Sequence, residues 1–222
     1  MALAGRRTEP LEAVRAEIEA VGKGARALAV RCDVCERADL ENCISRTVET
    51  FGRLDILVNN AQMYRHAFLI DATDEDMEAT WRSGPLAAFR SMRLAYPHLK
   101  KTRGVIVNFG SGTQFDSSES FHSTYNAAKM AIQGLTRSAA VEWGKDGIRA
   151  FLVIPAASSP QLEAFKARDP QKFNQMLGRI PLGRFGDAER DIGKPIAWLA
   201  SDNNAYMTGC CLMLDGGQMY VR

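Results

Sequence analysis

Tyr125 and Lys129 stand one helical turn apart in Tyr125-Asn-Ala-Ala-Lys129, so a helix through them projects both side chains from one face. A phenol with an ordinary pKa near ~10 is a poor acid–base catalyst at neutral pH. A neighbouring ammonium favours the phenolate, and the spacing therefore predicts a lowered tyrosine pKa. Ser111 follows an apolar run, Gly104-Val-Ile-Val-Asn-Phe, where its hydroxyl can hold a substrate oxygen beside the phenol. The chemistry expected of this trio is proton exchange with a substrate oxygen. Tyr125 is the expected donor, Lys129 its activator and Ser111 the anchor. A Tyr-x-x-x-Lys pair alone also occurs on plain surface helices, so its meaning depends on what positions it.

Apolar strands alternate with amphipathic helices along the chain. Thr8 is placed to cap a helix carrying Leu11, Val14, Ile18 and Val21 at helical spacing, with Gly22 as its stop. A short strand over 27–31 and a helix over 37–51 follow, the latter ended by Gly52. Leu54 to Asn60 reads as a buried strand. Thr73-Asp-Glu-Asp76 reads as a capping box opening a long helix to about Leu99, kinked at Pro85. After the strand before Ser111 come a helix over 123–143, a strand over 148–154, a helix over 187–200 and a last strand near 210–214. Alternation of this kind predicts an α/β fold with a parallel sheet covered on both faces. Its ligands belong at the carboxyl ends of the strands, where Ser111 and Pro155 fall. One domain over 1–222 is expected, with the proline-bearing, irregular stretch 156–184 as a lid or substrate loop.

Composition removes several classes. Lys and Arg total 28 against 26 for Asp and Glu, which gives no concentrated basic face for nucleic acid. No apolar run approaches the length of a membrane span, and the opening Met-Ala-Leu-Ala-Gly-Arg-Arg is not a signal peptide. Five cysteines, an odd number, fit reduced thiols and a cytoplasmic location. Cys32-x-x-Cys35 has no second pair to complete a metal site and reads as a strand-end pair. His66, His98 and His122 are scattered and read as surface or loop residues, so no metal is expected.

Asn59-Asn60-Ala61 after one strand, Asn108-Phe-Gly-Ser111 after the next, Tyr125-x-x-x-Lys129, Gly147-Ile-Arg, Pro155, Tyr206-Met-Thr-Gly and Asp215-Gly-Gly occur in a fixed order and spacing. In that order the chain resembles the classical short-chain dehydrogenases/reductases, from Leu3 to about Gln218. The resemblance implies a Rossmann-like doubly wound parallel sheet and hydride transfer between a nicotinamide cofactor and a small-molecule carbonyl or alcohol. It implies Ser111, Tyr125 and Lys129 as catalytic residues, with Lys129 also bonding the nicotinamide ribose. Arg6, Asp33, Val34, Asn60, Ala61, Tyr125, Lys129 and Pro155 are the implied cofactor contacts. Arg6 follows Gly5, where NAD-preferring relatives carry an acid. It suits a ribose 2′-phosphate, so NADP(H) is expected rather than NAD(H). Asp33-Val34 matches the pair that contacts adenine. The long helices at about 76–98 and 123–143 imply a homodimer or homotetramer.

The departures from that family concern the cofactor. Relatives open with a strand, a T-G-x-x-x-G-x-G turn and a helix that together form the first βα unit, and this sequence lacks that unit. The missing strand lies in the middle of the sheet, so its absence should leave backbone groups unpaired or rearrange the sheet. Gln62 stands where the family has glycine, Gly84 where it has the asparagine of a proton relay, and Ala156 where it has the glycine after Pro155. Pro160 replaces a threonine that binds the nicotinamide amide, with Ser158 or Ser159 as substitutes. Tyr125 lies fourteen residues after Ser111, one more than is common. Two other readings stay open on the same scaffold: a cofactor-independent enzyme resembling halohydrin dehalogenases, although these carry arginine in place of Lys129, and an idle fold kept for association.

Overall fold

The computed structural model of the chain describes residues 1–115 and 121–219. Strand β1 (Ala2–Gly5) leads through helix α1 (Thr8–Ala20) to β2 (Leu28–Arg31), and the two strands pair in parallel. Helix α2 (Arg37–Phe51) follows, then β3 (Ile56–Asn59) and α3 (Asp74–Trp81). A π-helical turn over Arg82–Leu86 joins α3 to α4 (Ala87–Thr102). Strand β4 (Val105–Phe109), helix α5 (Ser123–Trp143) and strand β5 (Arg149–Pro155) form the centre. Beyond them lie α6 (Pro160–Arg168), α7 (Pro170–Leu177), a second π-helical turn (Ala188–Gly193), α8 (Lys194–Leu199) and β6 (Cys211–Leu214).

Strands β3-β4-β5-β6 make one parallel sheet in that order, and β1-β2 make another. Alternation along β4 and β5 sends side chains to both faces. Ile106 and Ala150 pack with Met92, Leu99 and Ala139 of α4 and α5, while Val107, Phe151 and Val153 pack with Leu199 of α8. A sheet covered on both faces explains why these strands read as unbroken apolar runs. Among the described residues no strand bridges β1 and β3. The β3 edge facing β1 is accordingly unpaired, with Ile56 and Val58 42% and 45% exposed.

Local signals account for most element ends. Gly52 takes the left-handed conformation at φ 75° and closes α2. Thr73 and Asp76 form the reciprocal capping box. Thr8, by contrast, is the first helical residue of α1. Arg7 holds the cap position without a side-chain bond. The kink expected at Pro85 is a π-helical turn, which absorbs a residue lacking an N–H inside a continuous helix. The stretch 156–184, read as irregular, contains α6 and α7. Each starts with proline at its first turn, behind Ser159 and Asp169 caps that accept from Leu162 and Lys172 N–H at 3.1 and 3.0 Å.

Candidate active site

A polar network fixes the strand ends from which the site is built. Asn59 at the end of β3 donates to Asn108 Oδ1 of β4 (2.8 Å) and accepts from the Ser91 hydroxyl of α4 (2.7 Å). Asn108, fully buried, donates in turn to Thr136 Oγ1 of α5 (2.8 Å). Two strands and two helices are thereby locked in register, and every member of the chain has a partner. Asn59 and Asn108 are thus structural supports of the site.

Ser111 opens a tight 3₁₀ turn (Gly112–Gln114) directly after β4. Its N–H donates to Gln114 Oε1 (3.0 Å), and its oxygen accepts from Thr113 N–H. The turn places Ser111 near enough to Tyr125, at the start of α5, for its hydroxyl to favour the phenolate. Thr124, Ala128, Ile132 and Thr136 form the buried face of α5, and Tyr125 and Lys129 follow along its edge. Lys129 is 4% exposed. Its Nζ donates to the Phe109 carbonyl at 2.8 Å and lies 5.3 Å from the centre of the Tyr125 ring. Ser111, Tyr125 and Lys129 therefore meet at the carboxyl end of β4.

The expected lowering of the Tyr125 pKa is not found. Burial pushes it up to about 12, while the Ser111 bond pulls the other way and Tyr64 adds to the rise. Burial pushes Lys129 down to about 8. Desolvation penalises the charged form of both groups and is the first cause of each shift. At neutral pH the pair is accordingly a protonated phenol beside a lysine close to its titration point.

The residues expected to hold a cofactor divide. Arg6, Asp33, Val34 and Ala61 line a cavity of about 180 Å³ together with Gly5, Gln62 and Ser83. Asn60 and Pro155 are not among its lining residues; Pro155 ends β5 in register with Leu214. Arg6 is exposed, with no ion pair among the described residues. Asp33 Oδ1 accepts from Cys35 N–H (3.0 Å), so one carboxylate oxygen caps its own loop. The exposed guanidinium of Arg6 at the cavity rim has the charge and fork geometry to pair with a phosphate. A larger cavity, about 590 Å³, lies between 181–191 and 213–217, and none of Ser111, Tyr125 and Lys129 lines it.

Two departures read separately in the sequence prove to be one feature. The Gln62 amide is buried against Gly84, where an added Cβ would fall 2.7 Å from Gln62 Nε2 and 2.9 Å from Cδ. The side chain in place of one residue fills the room left by the other. The histidines are not all scattered either. His66 and His122 lie 5.0 Å apart, ring to ring, beside Tyr64, whose ring stacks on Tyr125. Tyr64 carries no local signal, because its contact joins residues sixty-one apart in the chain. The one-residue extension expected between Ser111 and Tyr125 runs through residues 116–120, outside the described residues. Among the described residues no group of His, Cys, Asp or Glu could hold a metal, and no helix is long and apolar enough to cross a membrane.

Residues 1–219 match the family model described as enoyl-(acyl carrier protein) reductase. The 12alpha-hydroxysteroid dehydrogenase of a Clostridium species is 37% identical, over 98% of this chain and 85% of that protein. An L-rhamnose 1-dehydrogenase (NAD(P)(+)) of a Sphingomonas species is 35% identical, over 96% of this chain and 82% of that protein. Among solved structures, a putative short-chain alcohol dehydrogenase from Sinorhizobium meliloti superposes with a TM-score of 0.90 at 32% identity. That match covers 98% of this chain and 85% of the other.

Proposed function

This chain belongs to the short-chain dehydrogenase/reductase family, and from that premise we propose that it is an NADP(H)-dependent oxidoreductase interconverting a carbonyl and a hydroxyl group on a small molecule. The observation that carries the reading is the meeting of Ser111, Tyr125 and Lys129 at one strand end. When bound, the cofactor supplies the hydride. Ser111 donates to the substrate oxygen and holds it at the phenol. Tyr125, protonated at neutral pH, gives its proton to that oxygen in the reducing direction and takes one back in oxidation. Lys129 faces the phenolate left behind and stabilises it while charged, and its Nζ also serves the ribose.

In the same proposal Arg6 takes the 2′-phosphate, which selects NADP(H) over NAD(H). Asp33 and Val34 receive the adenine, with Asn60, Ala61 and Pro155 along the remainder of the cofactor. Relatives whose printed names are those of a hydroxysteroid and a sugar dehydrogenase support alcohol–carbonyl chemistry. We further propose a single domain with 156–184 over the substrate, a homodimer or homotetramer built on α4 and α5, and a cytoplasmic location.

The test is NADPH oxidation, followed at its absorbance, with a panel of ketones. Turnover in the natural chain and its loss by at least about a thousandfold in Tyr125→Phe, with unchanged thermal unfolding, is the expected result. Full activity in that variant removes Tyr125 from the reaction.

A further inference from the structure

The proposed proton donor is not bare. The Tyr64 ring lies on the Tyr125 ring with centroids 4.1 Å apart and planes 25° from parallel. The Tyr64 hydroxyl is 3.4 Å from His66 Nε2, and the His66 ring meets Tyr64 edge-on at 4.9 Å. His122 closes the group, 5.9 Å from Tyr64 and 6.2 Å from Tyr125. Phe68 and Phe121, 4.1 Å apart and both exposed, continue the aromatic surface outward.

This wall is held by backbone. Ala67 N–H donates to the Phe121 carbonyl (3.0 Å), and the Ser123 hydroxyl donates to the Ala67 carbonyl (3.3 Å). The segment carrying Tyr64 and His66 is thus stitched to the entrance of α5, the helix that bears Tyr125. The phenol that a substrate oxygen would have to reach therefore has one ring face covered by Tyr64. Aromatic faces favour flat ring partners in offset or edge contact over flexible chains of equal carbon count. A ring also loses less rotamer freedom on binding than an open chain does.

We propose that Tyr64 is the substrate-selecting residue of this site, favouring ketones and alcohols whose reacting carbon is carried in a flat fused-ring system over open-chain ones. The proposal rests on the reading of Tyr125 as proton donor, and the experiment separates the two. Two ketones of ten carbons serve as probes, 2-tetralone and 2-decanone. Their dissociation constants for the full chain are measured by ligand-observed NMR, which needs no turnover, and NADPH oxidation with each is measured separately.

The natural chain is expected to bind 2-tetralone more tightly. Tyr64→Leu should weaken 2-tetralone by about fivefold to tenfold, the change worth one aromatic contact, and 2-decanone by no more than about twofold. Tyr64→Phe keeps the ring and loses the approach to His66, so it should keep the preference within about twofold. Equal losses for both ketones in Tyr64→Leu, or no preference in the natural chain, overturn the selecting role. Selective binding that depends on Tyr64 but no NADPH oxidation with either ketone overturns the oxidoreductase reading and leaves the selecting role standing.

Discussion

The packing of Gln62 into the room above Gly84 can be tested by a four-member mutant cycle. Gly84 lies inside the π-helical turn between α3 and α4, and an alanine there would set its Cβ 2.7 Å from Gln62 Nε2. Ordinary contacts of that kind lie near ~3.5–4.0 Å, so the Gln62 side chain has to move by about an ångström. Both polar atoms of its amide are buried, but the side chain also borders the cavity of about 180 Å³, so the cost of the move falls toward the lower end of the overpacking range. Forcing one methyl into a filled space costs about 1–3 kcal/mol, and replacing a helical glycine by alanine returns about 1 kcal/mol. Gly84→Ala alone should therefore be between neutral and about 2 kcal/mol destabilising. In a Gln62→Gly background the obstacle is gone, and the same alanine should stabilise by about 1 kcal/mol. The coupling between the two positions is then about 1–3 kcal/mol, well above the few tenths expected of independent sites. Urea unfolding of the four chains measures it directly, and each kcal/mol should also move the melting temperature by about 2–4 °C. If Gly84→Ala changes stability equally in both backgrounds, within about 0.5 kcal/mol, Gln62 does not fill the space above Gly84.

Three further outcomes follow from the site and its frame. Lys129 titrates at about 8, so kcat/KM for ketone reduction should fall as pH rises past that point and the ammonium facing the phenolate is lost. Lys129→Arg keeps its charge, and an alkaline limb left at the same pH in that variant would assign the titration to another group. Arg6→Glu should swing the ratio of kcat/KM for NADPH over NADH by about 10- to 100-fold toward NADH, the worth of a charge-assisted bond; an unchanged ratio takes Arg6 away from the phosphate. At Gly104 an added Cβ would fall 2.4 Å from the Asp55 carbonyl oxygen and 2.7 Å from Leu99 Cδ2. Backbone cannot step aside as a side chain can, so Gly104→Ala should cost about 3 kcal/mol or more, and a melting temperature within ~2 °C of the natural chain would contradict that geometry.

What could be read from the sequence was what nearby residues decide. Helix α5 has the bounds its pattern gave, because its buried positions repeat at helical spacing from Thr124 to Thr136. Gly52 and the Thr73–Asp76 box did what their types require. The two helices within 156–184 were legible as well, in Ser159-Pro160 and Asp169-Pro170, where each proline is a first-turn residue behind a cap and no sign of irregular chain. The meeting of Tyr64 with Tyr125, and of Gln62 with Gly84, depends on how distant segments pack, and no window of the sequence contains it. The Tyr125 pKa shows a different limit. Spacing revealed the neighbouring amine, whereas the dominant cause is the depth at which both groups lie.

The gap between β1 and β3 has a mechanical consequence. Arg6 and Asp33 belong to the small leaf of two strands, whereas Tyr125 and Lys129 stand on the four-stranded slab. No ladder of strand hydrogen bonds joins leaf to slab among the described residues, and α2 lying against α4 is a principal tie between them. The amide hydrogens of the leaf should therefore exchange faster than those of the slab, a contrast that hydrogen exchange measures. A long ligand gripped at one end by Arg6 and at the other by Lys129 would clamp the two pieces together, and part of its binding energy would go into that closure.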